Sequence, residues 1–154
     1  MNPRSLAIIL ALGTATPALA ANVQAEYPAA IAELMKTFGY RAELTTDDQG
    51  DPKIKSSAGG ANFSVYFYGC TNGKDCTSIQ FSAGFDLTDG TTLEVVNDWN
   101  TAKRYGKVYL DSENDPYIEM DINLEFGGVG EETFRDTLDI WDRLVSDFKT
   151  HIDW

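Results

Sequence analysis

The sequence predicts an α+β domain: a twisted antiparallel sheet flanked by helices, in the order α-β-β-β-β-α-β-β-α. Three observations carry this. Long segments alternate apolar and polar side chains with period two, as strands with one dry and one wetter face do, and such one-sided sheets are usually antiparallel. Near the C-terminus, Phe134, Leu138, Trp141, Val145 and Phe148 recur at helical spacing. Clusters of Gly and Asp punctuate the periodic segments where turns belong.

The N-terminus is set aside first. Arg4, the apolar run Leu6 to Leu12 and the small-residue pattern Ala18-Leu19-Ala20 read as a secretory signal peptide cut after Ala20. The run is shorter than the roughly 20 residues a membrane span takes. The expected domains are residues 1–20, a signal peptide, and residues 21–154, one domain in the periplasm or outside the cell with no membrane insertion after cleavage.

The elements follow in order. A helix is expected over about Glu26 to Phe38, with Ala30, Leu34 and Phe38 on one apolar face beside Ile31 and Met35, ending at Gly39. Tyr40 to Thr45 alternates as a strand, Asp47 to Pro52 turns, Lys53 to Ser56 is a short strand, and Ser57 to Ala61 is a Gly/Ala loop. Phe63, Val65 and Phe67 mark one strong strand; Ile79, Phe81, Ala83, Phe85 and Leu87 mark another. Past Asp89-Gly90, a helix runs from about Thr92 to Tyr105 with Leu93, Val96 and Trp99 inward. Val108 and Leu110 lie in the next strand, and Ile118, Met120, Ile122 and Leu124 in the last, joined by the turn from Asp111 to Pro116. Gly127-Gly128 leads into a final helix, about Glu131 to Ile152, whose first-turn acids suit the positive end of its dipole.

The run Val95-Val96-Asn97-Asp98-Trp99-Asn100 with Arg104-Tyr105-Gly106 resembles the YbjN family, a group of bacterial sensory transduction regulators. The likeness continues through Tyr109-Leu110-Asp111, Glu119-Met120-Asp121, Gly127-Gly128-Val129, Phe134 and Trp141, and spans roughly Glu26 to Phe148. The resemblance implies a fold like that of type III secretion chaperones, a non-enzymatic regulatory or protein-binding role, no catalytic residues to carry over, and, by analogy with those chaperones, homodimerisation.

Composition narrows the partners. Asp and Glu number 24 against 12 Lys and Arg, for a net charge of −12. Phosphate backbones are bound by clustered cations, so nucleic acid is excluded as the expected partner. The single histidine, His151, sits at the chain end, a poor place for a catalytic base, and zinc sites need several His or Cys ligands. Asp111, Glu113 and Asp115 begin like a calcium loop, but Pro116 stands where Gly is needed and Ile122 where Glu is needed. Neither a metal nor a cofactor is expected.

Cys70 and Cys76 flank a hairpin tip, and an exported protein would bridge them. Asn72-Gly73 favours a two-residue turn that sets Cys70 opposite Asp75, whereas a loop centred on Gly73 sets it opposite Cys76. The two signals differ by one residue, and the disulfide is favoured. Tyr66, Tyr68, Tyr109 and Tyr117 fall on the polar phase of their strands. If those strands adjoin, the rings form an aromatic patch suited to binding a protein or peptide. The alternatives are a small-molecule sensor with a pocket between helices and sheet, and an enzyme using Glu119 and Asp121, which share a strand face.

Overall fold

Period-two alternation becomes six strands in the computed structural model, which describes residues 22–154. The expected signal peptide lies outside those residues. Strands β1 (Glu43–Thr46), β2 (Pro52–Ala58), β3 (Ala61–Tyr68), β4 (Ser78–Gly84), β5 (Lys107–Leu110) and β6 (Pro116–Asn123) form one antiparallel sheet ordered β1-β2-β3-β4-β6-β5. Helices α1 (Pro28–Thr37), α2 (Leu93–Ala102) and α3 (Glu131–His151) complete the expected order. No helix among the described residues is long and apolar enough to cross a membrane.

The dry face carries Ile54, Phe63, Val65, Phe67, Ile79, Phe81, Ala83, Ile118 and Met120, all buried. The α3 stripe Phe134, Leu138, Trp141, Val145 and Phe148 is fully buried, as its spacing predicts. Phe81 is central, its ring centroid 5.7 Å from Phe63, 6.4 Å from Phe134 and 5.6 Å from Trp141. Burial of rings this large dominates the stabilisation of such a core.

Elements ahead of α3 differ from expectation in particulars. Pro28 starts α1 within its first turn, where a missing N–H costs nothing. The buried residues of α1 are Ile31, Ala32 and Met35, with Leu34 and Phe38 at the margin and Ala30 exposed. The helix has rolled towards its β-branched and Met positions. Residues 57–61 are not a loop: β2 pairs with β3 as far as Ala58–Ala61, and Gly59-Gly60 alone makes the turn, at φ 55° and 76°. Positive φ at both central residues is the tight hairpin geometry that Gly-Gly permits. β4 leaves the ladder at Gly84, although Phe85 stays buried.

In α2, Thr92 caps the N-terminus by accepting from the Val95 N–H, and Val96 and Trp99 are buried, but Leu93 is 74% exposed. At about 100° per residue, positions 93 and 99 lie roughly 120° apart, so anchoring Trp99 turns Leu93 outward. The helix stops at Ala102, short of Tyr105, because Lys103 is extended and Gly106 takes φ 79°.

Two contacts made by α2 fix the sheet edge. Trp99 Nε1 donates to the Gly106 carbonyl at 2.9 Å. The Asn100 amide donates to the Val108 carbonyl at 3.0 Å and accepts from the Val108 N–H at 2.9 Å. Asn100 therefore satisfies the outer edge of β5 as a further strand would, which blunts that edge against pairing with other chains.

The cysteines are bridged, with Cα atoms 3.9 Å apart. Both turn signals in the sequence are honoured. Thr71 and Lys74 exchange hydrogen bonds around Asn72-Gly73, whose φ values of 51° and 74° make a type I′ turn. Asp75, at φ 52°, then bulges out and restores Cys70 opposite Cys76.

Both ends of the described stretch pack onto the domain. Val23 pairs with Val129, and a Cβ on Gly128 would collide with the Val23 carbonyl, so Gly128 allows a close backbone approach while Gly127 takes φ 99° in open space. Trp154, whose place the sequence leaves open, packs edge-on against Phe85 at 5.2 Å and stays half exposed. His151 is not merely a solvated helix end: its ring lies 5.5 Å from Trp99 and its Nε2 is 2.9 Å from the Val95 carbonyl.

Candidate functional site

With the helices on the dry face, the other face of the sheet presents its own side chains. Register sets them in rows. One row runs Glu43, Lys55, Ser64, Ser82, Glu119, Lys107. The next runs Thr45, Lys53, Tyr66, Gln80, Asp121. In a third, Gly84 pairs with Tyr117 and Tyr117 with Tyr109.

All four tyrosines singled out in the sequence lie on this face, but they are not one patch. β4 separates β3 from β6, so they form two pairs. Tyr66 and Tyr68 stand on β3, and Lys53 Nζ lies 4.5 Å from the Tyr66 ring centroid. Tyr109 stacks on Tyr117, with centroids 5.5 Å apart and planes 16° apart. The Tyr117 ring lies over Gly84, where a Cβ would sit 2.6 Å from it. Glycine at 84 is what lets that ring settle on the sheet.

The centre of the face is polar and nearly dry. Gln80, Ser82 and Glu119 are 8%, 8% and 9% exposed, covered by their neighbours' side chains. Buried polar groups need partners, and Gln80 and Glu119 have them. Tyr68 Oη donates to Gln80 Oε1 at 3.3 Å, and Gln80 Nε2 donates to Asp121 Oδ1 at 2.9 Å. Tyr109 Oη donates to Glu119 Oε1 at 2.9 Å, and Lys107 Nζ meets Glu119 Oε2 at 2.9 Å.

The network shifts its own titrations. Burial, then the hydrogen bond to Glu119, pushes the Tyr109 phenol well above its ordinary value. Burial, then the Glu119 charge, raises Tyr68. The bond to Glu119 holds the Lys107 ammonium protonated beyond its usual range.

Between the tyrosine pairs lies an open groove of about 320 Å³, lined by Arg41, Lys55, Asn62, Ser64, Ser82, Tyr66 and Tyr117 among others. Arg41 reaches it from just ahead of β1, its Nη2 donating to Asn62 Oδ1 at 3.0 Å. Tyr68 and Tyr109 do not line it, nor do Glu119 and Asp121. Both oxygens of Glu119 are taken, which leaves that carboxylate in a structural role. Between α3 and the sheet, where the small-molecule alternative would place its pocket, lie the Phe63, Phe81, Phe134 and Trp141 rings. A separate apolar groove of about 330 Å³ runs beside α1, along Val23, Tyr27, Ile31 and Leu34.

The acidic turn is also accounted for. Asp111 Oδ1 accepts from the Glu113 and Asp115 N–H groups at 2.8 and 2.9 Å, and Asp115 Oδ1 accepts from Leu87 N–H at 2.9 Å. Asp47 does the same for Gln49 and Asp51. Among the described residues no cluster of three His, Cys, Asp or Glu is placed to hold a metal.

Sequence reasoning found the tyrosines and missed Arg41, Lys55 and the Ser64/Ser82 floor. The signal was partly there, since Lys55, Ser64 and Ser82 share the tyrosines' polar phase. Their meeting in one row depends on strand order, which alternation does not encode.

Residues 27–154 match the YbjN family, described as "Putative bacterial sensory transduction regulator". Among solved structures, "Crystal structure of YbjN, a putative transcription regulator from E. coli" aligns with a TM-score of 0.53 at 15% identity, covering 80% of this chain and 91% of that one. At that identity the likeness is one of fold. The comparison with curated proteins finds no match.

Proposed function

The chain belongs to the YbjN family, and on that premise we propose that it is an exported, non-enzymatic accessory protein that recognises an extended segment of another protein on the open face of its sheet. The observation that carries this reading is the groove between Tyr66 and Tyr117, on a face that α1, α2 and α3 leave open. Tyrosine is large, rigid and half polar, which suits a recognition surface. The Ser and Asn groups of the groove supply adaptable hydrogen bonding to a peptide backbone. The closed pairing of Glu119 with Tyr109 and Lys107 favours a binding role over acid–base chemistry. Export rests on the Arg4 and Leu6 to Leu12 pattern, and the Cys70–Cys76 bridge suits an oxidising compartment.

The test is the Tyr66→Ala/Tyr117→Ala double variant, crosslinked mildly in an envelope fraction and compared with the parent by mass spectrometry of what it retains. Circular dichroism should show an unchanged fold. Partner recovery should fall at least about tenfold, the scale expected for losing two aromatic anchors. Undiminished recovery with the fold intact would overturn the reading.

A further inference from the structure

The groove differs in charge from the molecule around it. The chain carries twice as many acids as bases. Yet the groove is lined by two cations, Arg41 and Lys55, and by no carboxylate. Among the described residues neither cation makes an ion pair; the ion pairs present are Lys36–Glu33, Lys103–Asp147 and Lys107–Glu119. Glu43 is the cross-strand neighbour of Lys55, but no bridge joins them. Arg41 is held in place by Asn62, with the rest of its guanidinium fork unspent. Lys53 stands one row away over the Tyr66 ring and also lacks a carboxylate partner. A strongly acidic molecule has thus set two unpaired cations in an open, tyrosine-bounded groove, with a third one row away.

We propose that the groove's ligand is acidic: an extended peptide whose Asp or Glu carboxylate sits between Arg41 and Lys55 while its flanking residues lie against Tyr66 and Tyr117. This deepens the protein-recognition reading and rests on it. The chemistry is charge complementarity. A guanidinium offers two parallel donors to a carboxylate, and the adjacent ammonium adds a third. The hydroxyls of Ser64 and Ser82 on the floor meet main-chain groups of a strand-like ligand. The net charge of −12 disfavours an acidic peptide over the molecule as a whole, so a cationic groove gains selectivity as well as attraction.

A random octapeptide library displayed on phage, panned against the purified full domain, tests this directly. Four proteins are compared: the parent, Arg41→Gln/Lys55→Gln, Tyr66→Ala/Tyr117→Ala, and the control Lys74→Gln/Arg143→Gln, which removes equal charge elsewhere. The parent and the control should enrich peptides containing Asp or Glu. Fluorescence anisotropy on synthetic copies should show about tenfold weaker binding when those acids become Asn or Gln. Arg41→Gln/Lys55→Gln should lose the acidic bias and bind the parent's peptides about tenfold more weakly, with less dependence on salt. Enriched peptides without acidic bias, or with a bias that survives Arg41→Gln/Lys55→Gln, would overturn the acidic ligand and leave peptide recognition standing. No enrichment over an unrelated acidic protein, with Tyr66→Ala/Tyr117→Ala equally inert, would overturn both.

Discussion

At the scale of single residues, the open face is organised by phenols that keep their protons. Burial and a bond to Glu119 raise Tyr109, and burial with nearby acids raises Tyr68. On the helical side, burial and then the charges of Asp142 and Asp139 push Tyr40 up to about 12. Each shift is gained on folding. Above the ordinary phenol value, near pH ~10, the unfolded chain has lost protons that the folded chain retains. Stability therefore falls as pH rises through that window, and the contribution is complete below it. Melting temperature should hold steady from neutral pH to about pH 9 and then decline, with phenolate absorbance rising late. Tyr109→Phe should make the decline shallower; an identical slope in parent and variant would remove Tyr109 from the account. The polar phase of these tyrosines was legible from alternation with Val65, Phe67, Val108 and Ile118. Their partners Glu119 and Gln80 were not, because cross-strand bonds depend on which strands adjoin.

At the scale of elements, the segment from Val95 to Gly106, which carried the family resemblance, proves architectural. Trp99 ties the helix end to Gly106, and Asn100 seals the β5 edge. The helix stripe of α3 was readable residue by residue because nothing competes with its periodicity. Leu93 was misread because it belongs to a first turn whose rotation Trp99 decides. Ser57 to Ala61 was misread because Gly-rich composition looks like loop, whereas Gly59-Gly60 is a two-residue hairpin turn. Its tip docks on α3, with the Gly59 N–H donating to Asp142 Oδ1 at 2.7 Å. The other hairpin, closed by Cys70–Cys76, gives a stability prediction. Cys70→Ser/Cys76→Ser should lower unfolding free energy by about 2 kcal/mol on the chain-entropy model, read as a lower urea midpoint at constant slope. The parent should show no titratable thiol in denaturant without reductant. Two titratable thiols in protein recovered from the envelope would refute the bridge.

At the scale of the whole molecule, the proposed export fixes where the finished chain begins. Asn22 Nδ2 donates to the Gly127 carbonyl at 2.8 Å, and Val23 exchanges two backbone bonds with Val129. A cut after Ala20 leaves only Ala21 ahead of that clasp. N-terminal sequencing of the envelope protein should therefore start at Ala21; a chain still beginning at Met1 would contradict processing. The clasp also has a temporal meaning. A polypeptide threaded outward from its N-terminus delivers Val23 more than a hundred residues before Val129, its partner. The six strands emerge ahead of α3, whose Phe134, Trp141 and Phe148 cover them. On the proposed export route, the sheet's oily side lacks its longest cover until the final helix is through, so the domain would not lock while still in transit. On that route the same delay would leave it adhesive on arrival, and the last stretch to cross would be the one that ends that exposure.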